Sequence, residues 1–460
     1  MITRNIINPN ISFIDYSTIS THMYSYSFTH LNRLIDAYKN LLISKGAKKG
    51  NSIVIGTQAN TSQIALVLAC AELGLTIVIV AYPLPINQTS KVKIATWMKL
   101  KLMLPIDYFI LDNRNQTDKF QIFKDVCRVT ILIDEEQLDY TPNDVVYADK
   151  DTILLKCTSS GTTGTPKIIT HTHGFMSKLI ERNSKQFYGS MGMITNLAHG
   201  SSPAVYFLPG MMSKDTTQYI NFPNLPLVEI AEILRSHDLS LDHLLVPYTL
   251  FVDQLFDESN ESLPGCVIHT LGLIRKSWVE AVKNNRAKDI ISIFGTNETS
   301  GPFMINQATD VDFDENTYKV TDDFYDLELI DDCLYVGMKE YGSVIETNDK
   351  FLKRGDKFVH VGRSNLYRIN DLEIDLGKYQ SIIDELLKAE LVVDVKQDRI
   401  YLAIWDQDFD IHKVRHIDNV MRNDSNGLHF ISKYDSLNYP DYLNGIKIDK
   451  EMLREYFRNM

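Results

Sequence analysis

Residues Thr158–Lys167, TSSGTTGTPK, are the segment of the 460-residue chain with the most chemical potential. Gly161 and Gly164 allow backbone geometries closed to other residues and let amide groups come close to a ligand. Successive amides, together with the hydroxyls of Thr158, Ser159, Ser160, Thr162 and Thr163, make a cradle for an anion. Lys167 adds a point charge suited to a phosphate. The loop is not a Walker P-loop, because Pro166 precedes the lysine and Ile168 follows it. Phosphate handling is the chemistry these types and spacings favour. Metal binding by histidine is not: His171 and His173 lack a third ligand at suitable spacing.

The order TSSGTTGTPK resembles the phosphate-binding loop of the adenylate-forming superfamily of AMP-binding enzymes, whose usual pattern is T-S-G-[ST]-T-G-x-P-K-G. That superfamily comprises acyl- and aryl-CoA synthetases, peptide-synthetase adenylation domains and luciferases. An added serine and Ile168 are the departures. Thr172-His173 follows where the family commonly has Thr-His, and GAKKGNSIVIGTQANTSQIALVLACAELGLTIVIV is similar to its first helix–strand units. Further on, Phe294-Gly295-Thr296-Asn297-Glu298 resembles the aromatic-G-x-T-E segment, with Asn297 in place of threonine. The resemblance gives Phe294 and Gly295 to adenine, Asn297 to a phosphate oxygen and Glu298 to Mg²⁺. In HTLGLI, only Gly272 remains of the glycine pair that usually lines the adenine pocket. Thr347-Asn348-Asp349 is similar to T-G-D, which makes Asp349 the ribose anchor. Gly362-Arg363 stands where the family has G-R before its hinge, so Arg363 contacts ribose or phosphate, and Asn365 falls at the hinge position. Near the end, GIKIDKEML resembles the segment that carries the catalytic lysine, with Ile446 inserted; Lys447 is the better match than Lys450.

The resemblance implies a ligase that uses ATP and Mg²⁺. A carboxylate attacks the α-phosphate, pyrophosphate leaves and an acyl-adenylate forms, with Lys167, Glu298 and Lys447 countering the repulsion of two anions. The cap domain then rotates about the hinge and admits a thiol, CoA or the phosphopantetheine of an acyl carrier protein. The acceptor half departs most from the pattern. Asp371 replaces the glycine of the loop lining the thiol channel, and Lys378-Tyr379-Gln380 stands where E-I-E is usual. Transfer to a carrier protein or an amine without CoA therefore stays open. So does a reading of another class, a nucleotide-binding subunit that has lost turnover. His199-Gly200-Ser201-Ser202-Pro203 is similar to the H-x-x-G region of acyl- and aryl-CoA synthetases, and the Asp that binds an α-amine is not evident there. A small carboxylic acid without an α-amino group is the favoured substrate.

The elements that must position these residues alternate. Apolar residues at helical spacing over 28–46 precede the strand SIVIG, and Ile64–Val80 reads as a buried helix followed by a buried strand rather than a membrane span. VTILID (129–134) and TILLKC (152–157) read as further buried strands; a helix is expected at 226–236 and strands near 244–246 and 290–294. This alternation implies an α/β fold with largely parallel sheets. From about 326, LELID, CLYVGM and FVHVGR are short, period-two segments that read as antiparallel hairpins. The last stretch has its own helices and strands, ending in a helix over 449–458. The expected organisation is a large N-terminal AMP-binding domain, 1–363, built of α/β subdomains with a small β-barrel-like part, and a small α+β C-terminal cap, 364–460.

Composition agrees. With Lys plus Arg 47 and Asp plus Glu 59, the net charge of −12 argues against nucleic-acid binding. Five scattered cysteines support neither a disulfide scaffold nor a zinc site. The N-terminus lacks the apolar core of a secretory signal, so a cytoplasmic protein without a membrane partner is expected.

Overall fold

The computed structural model describes residues 1–17, 20–57, 60–78, 106–112, 127–158, 168–194, 206–222, 225–246, 249–257, 259, 261–330, 332–339, 343–363, 366–369, 372–375, 379, 382–383, 386–394, 399–405, 409–424, 430–437, 443–444, 447–448 and 450–460. The chain divides into two compact units, one drawn from Met1–Glu315 and the other from Asn316–Met460.

The first unit holds two sheets. One has six strands in the order Val129–Ile133, Tyr108–Asp112, Ser52–Gly56, Thr76–Val78, Ile153–Thr158 and Ile168–Thr172. Its neighbours are parallel except the last pair, an antiparallel hairpin. The helix Thr61–Glu72 is apolar nearly all round and is buried accordingly. Asn60 starts it by accepting from the Gln63 N–H at 2.9 Å, and the Thr76–Val78 strand follows. The expected helix-then-strand reading of this stretch holds for its described residues, and no described helix is long and apolar enough to cross a membrane. The strand Val129–Ile133 corrects one expectation. It is the sheet edge, and Leu132 is 42% exposed, because an apolar run alone does not distinguish a central strand from an edge.

The other sheet of this unit places Gly301–Gln307, Ala287–Thr296, Leu263–Thr270, His243–Val246, Gly189–Met193, Thr216–Asn221, Ser12–Ser17 and His22–Ser27 side by side. Pairing is parallel from Ala287–Thr296 through Ser12–Ser17 and antiparallel at both ends. Leu244, Ile268 and Ile290 point to one face, where they join Ile230, Leu255 and Trp278 in a continuous core with helices Leu227–Ser236, Thr249–Asp257 and Lys276–Lys283. Trp278 satisfies its ring N–H by donating to Asp253 at 3.1 Å.

The second unit begins with an antiparallel run ordered Tyr325–Ile330, Cys333–Met338, Ser343–Arg354, Lys357–Arg363 and Thr317–Val320; the first, second and fourth are the strands that the period-two segments predict. Further on, Ala389–Asp394, Arg399–Ile404 and Ile431–Ser436 form a three-stranded sheet, its last pair parallel across the helix Ile411–Asp424. Alternation decides which helix each strand residue meets. Leu391 and Val393 pack with Val414, Ile417 and Met421, whereas Val392 and Tyr401 pack with Leu453 and Phe457 of the terminal helix Lys450–Asn459. All five cysteines are free thiols.

Candidate active site

The candidate nucleotide machinery in the first unit starts from a hairpin. Strands Ile153–Thr158 and Ile168–Thr172 pair in antiparallel register, Cys157 opposite Ile169 and Thr158 opposite Ile168. They carry the two ends of the hydroxyl-rich loop. Thr158 is the last residue of the first strand, while Ser159, Ser160, Gly161, Thr162, Thr163, Gly164 and Lys167 lie outside the described residues. The second strand runs directly into helix His173–Ser184, which Thr172 caps by accepting from the Phe175 N–H at 3.3 Å.

The segment with Phe294 and Glu298 comes to this hairpin through one side chain. His171, 3% exposed, donates from Nε2 to the carbonyl of Asn297 at 2.8 Å, across 126 residues of sequence. A carbonyl only accepts, so the proton is on Nε2. Burial holds the imidazole below its usual pKa, against the opposing pulls of the Asn297 carbonyl and the Glu298 charge. Its ring stacks on Phe175 at 5.3 Å and 19°. Glu298 is close enough to be felt a second time: the Cys157 thiol is pushed up to about 12, first by burial and then by the Glu298 charge.

The turn bearing Glu298 is shaped by its own residues. A β-bulge falls between Phe294 and Gly295, and a Cβ at Gly295 would collide with the Gly301 carbonyl, so only glycine fits. Thr299, fully buried, accepts from the Thr296 N–H at 3.1 Å, and its hydroxyl lies 2.9 Å from the Gly301 carbonyl. Ser300 takes a left-handed φ of 50° and donates its N–H to the Thr296 carbonyl at 3.0 Å. Two residues of the His173–Ser184 helix hold the far side: Arg182 donates to the Pro302 carbonyl at 2.9 Å, and Leu179 fills the space over Gly301. Phe294 is half-buried and meets Phe303 edge to face at 5.6 Å. Asn297 and Glu298 are half-buried at the turn, and Gly272 lies in the bend after Leu263–Thr270.

In the second unit Asp349 is 3% exposed on the strand Ser343–Arg354. Its N–H donates to Thr347 at 3.2 Å, Thr347 donates to the Leu334 carbonyl at 2.9 Å, and His360 lies 3.4 Å from the Asp349 carboxylate. Arg363 is its register partner on Lys357–Arg363, so two predicted site residues share one hairpin. Lys447 lies on a different element, the two-residue strand Lys447–Ile448 paired with Leu443–Asn444. Asn365, Asp371, Lys378, Gln380 and the His199–Pro203 segment lie outside the described residues, whereas Tyr379 is buried with Ile383 and Leu387.

Sequence reasoning set His171 aside as a metal ligand and did not find its actual contact, nor the turn-forming role of Thr299. The one available signal was the alternation of IITHT, which puts Ile169 and His171 on the same face of a strand.

The family model described as AMP-binding enzyme matches residues 10–323. Comparison with curated proteins finds no match. Among solved structures, the chain is similar to McyG A-PCP complexed with phenylalanyl-adenylate at 15% identity and a TM-score of 0.73, covering 98% of this chain and 93% of that one. It is similar to O-succinylbenzoate coenzyme A synthetase (MenE) from Bacillus subtilis with ATP and magnesium ion at 14% and 0.73, covering 98% of each chain. The anthranilate CoA ligase AuaEII with anthranoyl-AMP matches at 14% and 0.71, covering 98% of this chain and 95% of that one. These likenesses establish the shared fold. The match over residues 10–323 establishes the family: the chain belongs to the AMP-binding enzymes, the adenylate-forming superfamily.

Proposed function

We propose that the protein activates a carboxylic acid without an α-amino group and transfers it to a thiol. A carboxylate oxygen attacks the α-phosphorus of ATP, the bond to the bridging oxygen breaks, and pyrophosphate leaves with that electron pair. A thiolate then attacks the acyl carbonyl and AMP departs. The observation that supports its adenylating half is the His171–Asn297 hydrogen bond at 2.8 Å, which brings the hairpin flanking the hydroxyl-rich loop to the turn bearing Glu298.

Each role follows from the chemistry of its residue. The loop Thr158–Lys167 receives the phosphates through amides, hydroxyls and the Lys167 charge. Phe294 offers a ring face to adenine, and the exposed Gly295 lets the backbone approach. Among the described residues no group of three His, Cys, Asp or Glu could hold a metal by itself. One half-buried carboxylate, Glu298, fits Mg²⁺ that arrives with most of its oxygens supplied by phosphates and water. Such an ion would neutralise phosphate charge. Asp349 accepts from the ribose hydroxyls with Arg363 beside it in register, and Lys447 stabilises the developing charge on carboxylate and phosphate oxygens. Residues 364–460 act as the cap that exchanges the two half-reactions.

The test is product analysis across a panel of acids with and without α-amino groups, each run with hydroxylamine, CoA or a pantetheinyl carrier protein. Hydroxamate from a non-amino acid together with an acyl-CoA or acyl-carrier thioester is expected. Hydroxamate with no thioester would leave the adenylation half and remove the thiol half. Lys447→Ala is expected to abolish hydroxamate formation while the folded state persists.

A further inference from the structure

We propose that His171 is a positioning residue for the adenylation step, setting the direction of Glu298 through the Asn297 carbonyl. The proposal rests on the reading above, that Glu298 serves the ATP-bound Mg²⁺.

The accepting oxygen belongs to the planar peptide unit that joins Asn297 to Glu298. Fixing that oxygen fixes the plane from which the Glu298 Cα departs, and so the arc its carboxylate can sweep. The donor is itself held. His171 sits on the strand Ile168–Thr172, one end of which opens into the hydroxyl-rich loop, and its ring is stacked on Phe175 of the next helix. The same helix grips the other side of the turn through Arg182 on the Pro302 carbonyl and Leu179 over Gly301. Hairpin, helix and turn are thus locked from two sides, with His171 reaching the peptide next to Glu298. Neutral imidazole is enough for this task because one N–H on Nε2 is all the carbonyl requires. Glutamine places its amide nitrogen near the Nε2 position, asparagine stops one carbon short, and leucine keeps the packing against Phe175 without a donor.

These three substitutions test the proposal by acid-dependent exchange of pyrophosphate into ATP, titrated with Mg²⁺. Support from one orienting partner is worth about 10- to 100-fold in metal affinity or activity. His171→Leu and His171→Asn are expected to lower kcat and raise the Mg²⁺ concentration at half-maximal exchange within that range, and His171→Gln to restore both. A merely structural role would lower Tm and leave the Mg²⁺ midpoint of the folded fraction where it was. If His171→Leu fails to fold, the Asn–Gln contrast decides. Equal kcat and equal Mg²⁺ midpoints for Asn and Gln overturn the positioning role while exchange by the unaltered protein upholds adenylation. No exchange by the unaltered protein with any acid overturns both.

Discussion

Two regions carry the residues assigned to the nucleotide, and they are built on opposite plans. The Glu298 turn, shaped by its own residues, is also held from far away in the sequence: His171 reaches it across 126 residues, and Arg182 binds Pro302 across 120. The Asp349 hairpin is held by its neighbours. Thr347 bonds Leu334 thirteen residues off, His360 approaches from eleven, and Arg363 pairs in register on the adjoining strand. A turn clamped by distant elements transmits changes in those elements to the group it carries. A hairpin buried within its own ladder insulates its carboxylate from them. The first plan suits a residue whose aim matters for the chemical step, and the second suits one that anchors a substrate part remote from the bond being made.

The largest difference is expected from the carboxylates themselves. Glu298→Ala should reduce pyrophosphate exchange by roughly 10²–10³-fold, the size of losing one preorganised electrostatic group, with little change in Tm. Asp349→Ala should act on binding. Losing hydrogen bonds to a charged acceptor, about 1.5–3 kcal/mol, should raise the KM for ATP on the order of 10-fold or more with kcat nearly kept. If Asp349→Ala lowered kcat as far as Glu298→Ala does, the contrast between aiming and anchoring would fail. Smaller still, Thr172→Ala removes the cap of the helix that grips the turn and should cost about 1 kcal/mol by chemical denaturation. Exchange should fall with it, while the same loss placed in the Asp349 hairpin should leave kcat alone.

The smallest effect is a pH dependence. Burial holds the folded-state pKa of His171 below its usual value of 6.5, so below that pH the unfolded chain binds this proton more readily than the folded one. Stability should therefore fall as pH drops below 6.5, and comparison of pH–stability curves should show that part of the slope missing in His171→Gln. An unchanged slope would mean that the proton on His171 is not linked to folding.

The same contrast explains what could be read from sequence. The strands flanking the one that carries Asp349 were legible because CLYVGM and FVHVGR announce period two, whereas SVIETNDKFLKR does not alternate and its register came only with the fold. The helix-then-strand division of Ile64–Val78 was legible from Glu72 and Gly74 and from the shift to Ile and Val. The clamp on Glu298 was not, since nothing in IITHT names a partner that folding alone brings within 2.8 Å. Edge position was equally hidden: VTILI reads as interior, yet it closes a sheet with Leu132 exposed. The order of motifs along the chain pointed to the family, whereas the His171–Asn297 contact needed coordinates.

The most direct test of adenylate formation is exchange of labelled pyrophosphate into ATP by the unaltered protein across a panel of carboxylic acids. Exchange that requires a particular acid and Mg²⁺, and that Glu298→Ala removes, is the expected result. Absence of exchange with every acid would contradict adenylate formation, and exchange unaffected by Glu298→Ala would contradict the role given to Glu298.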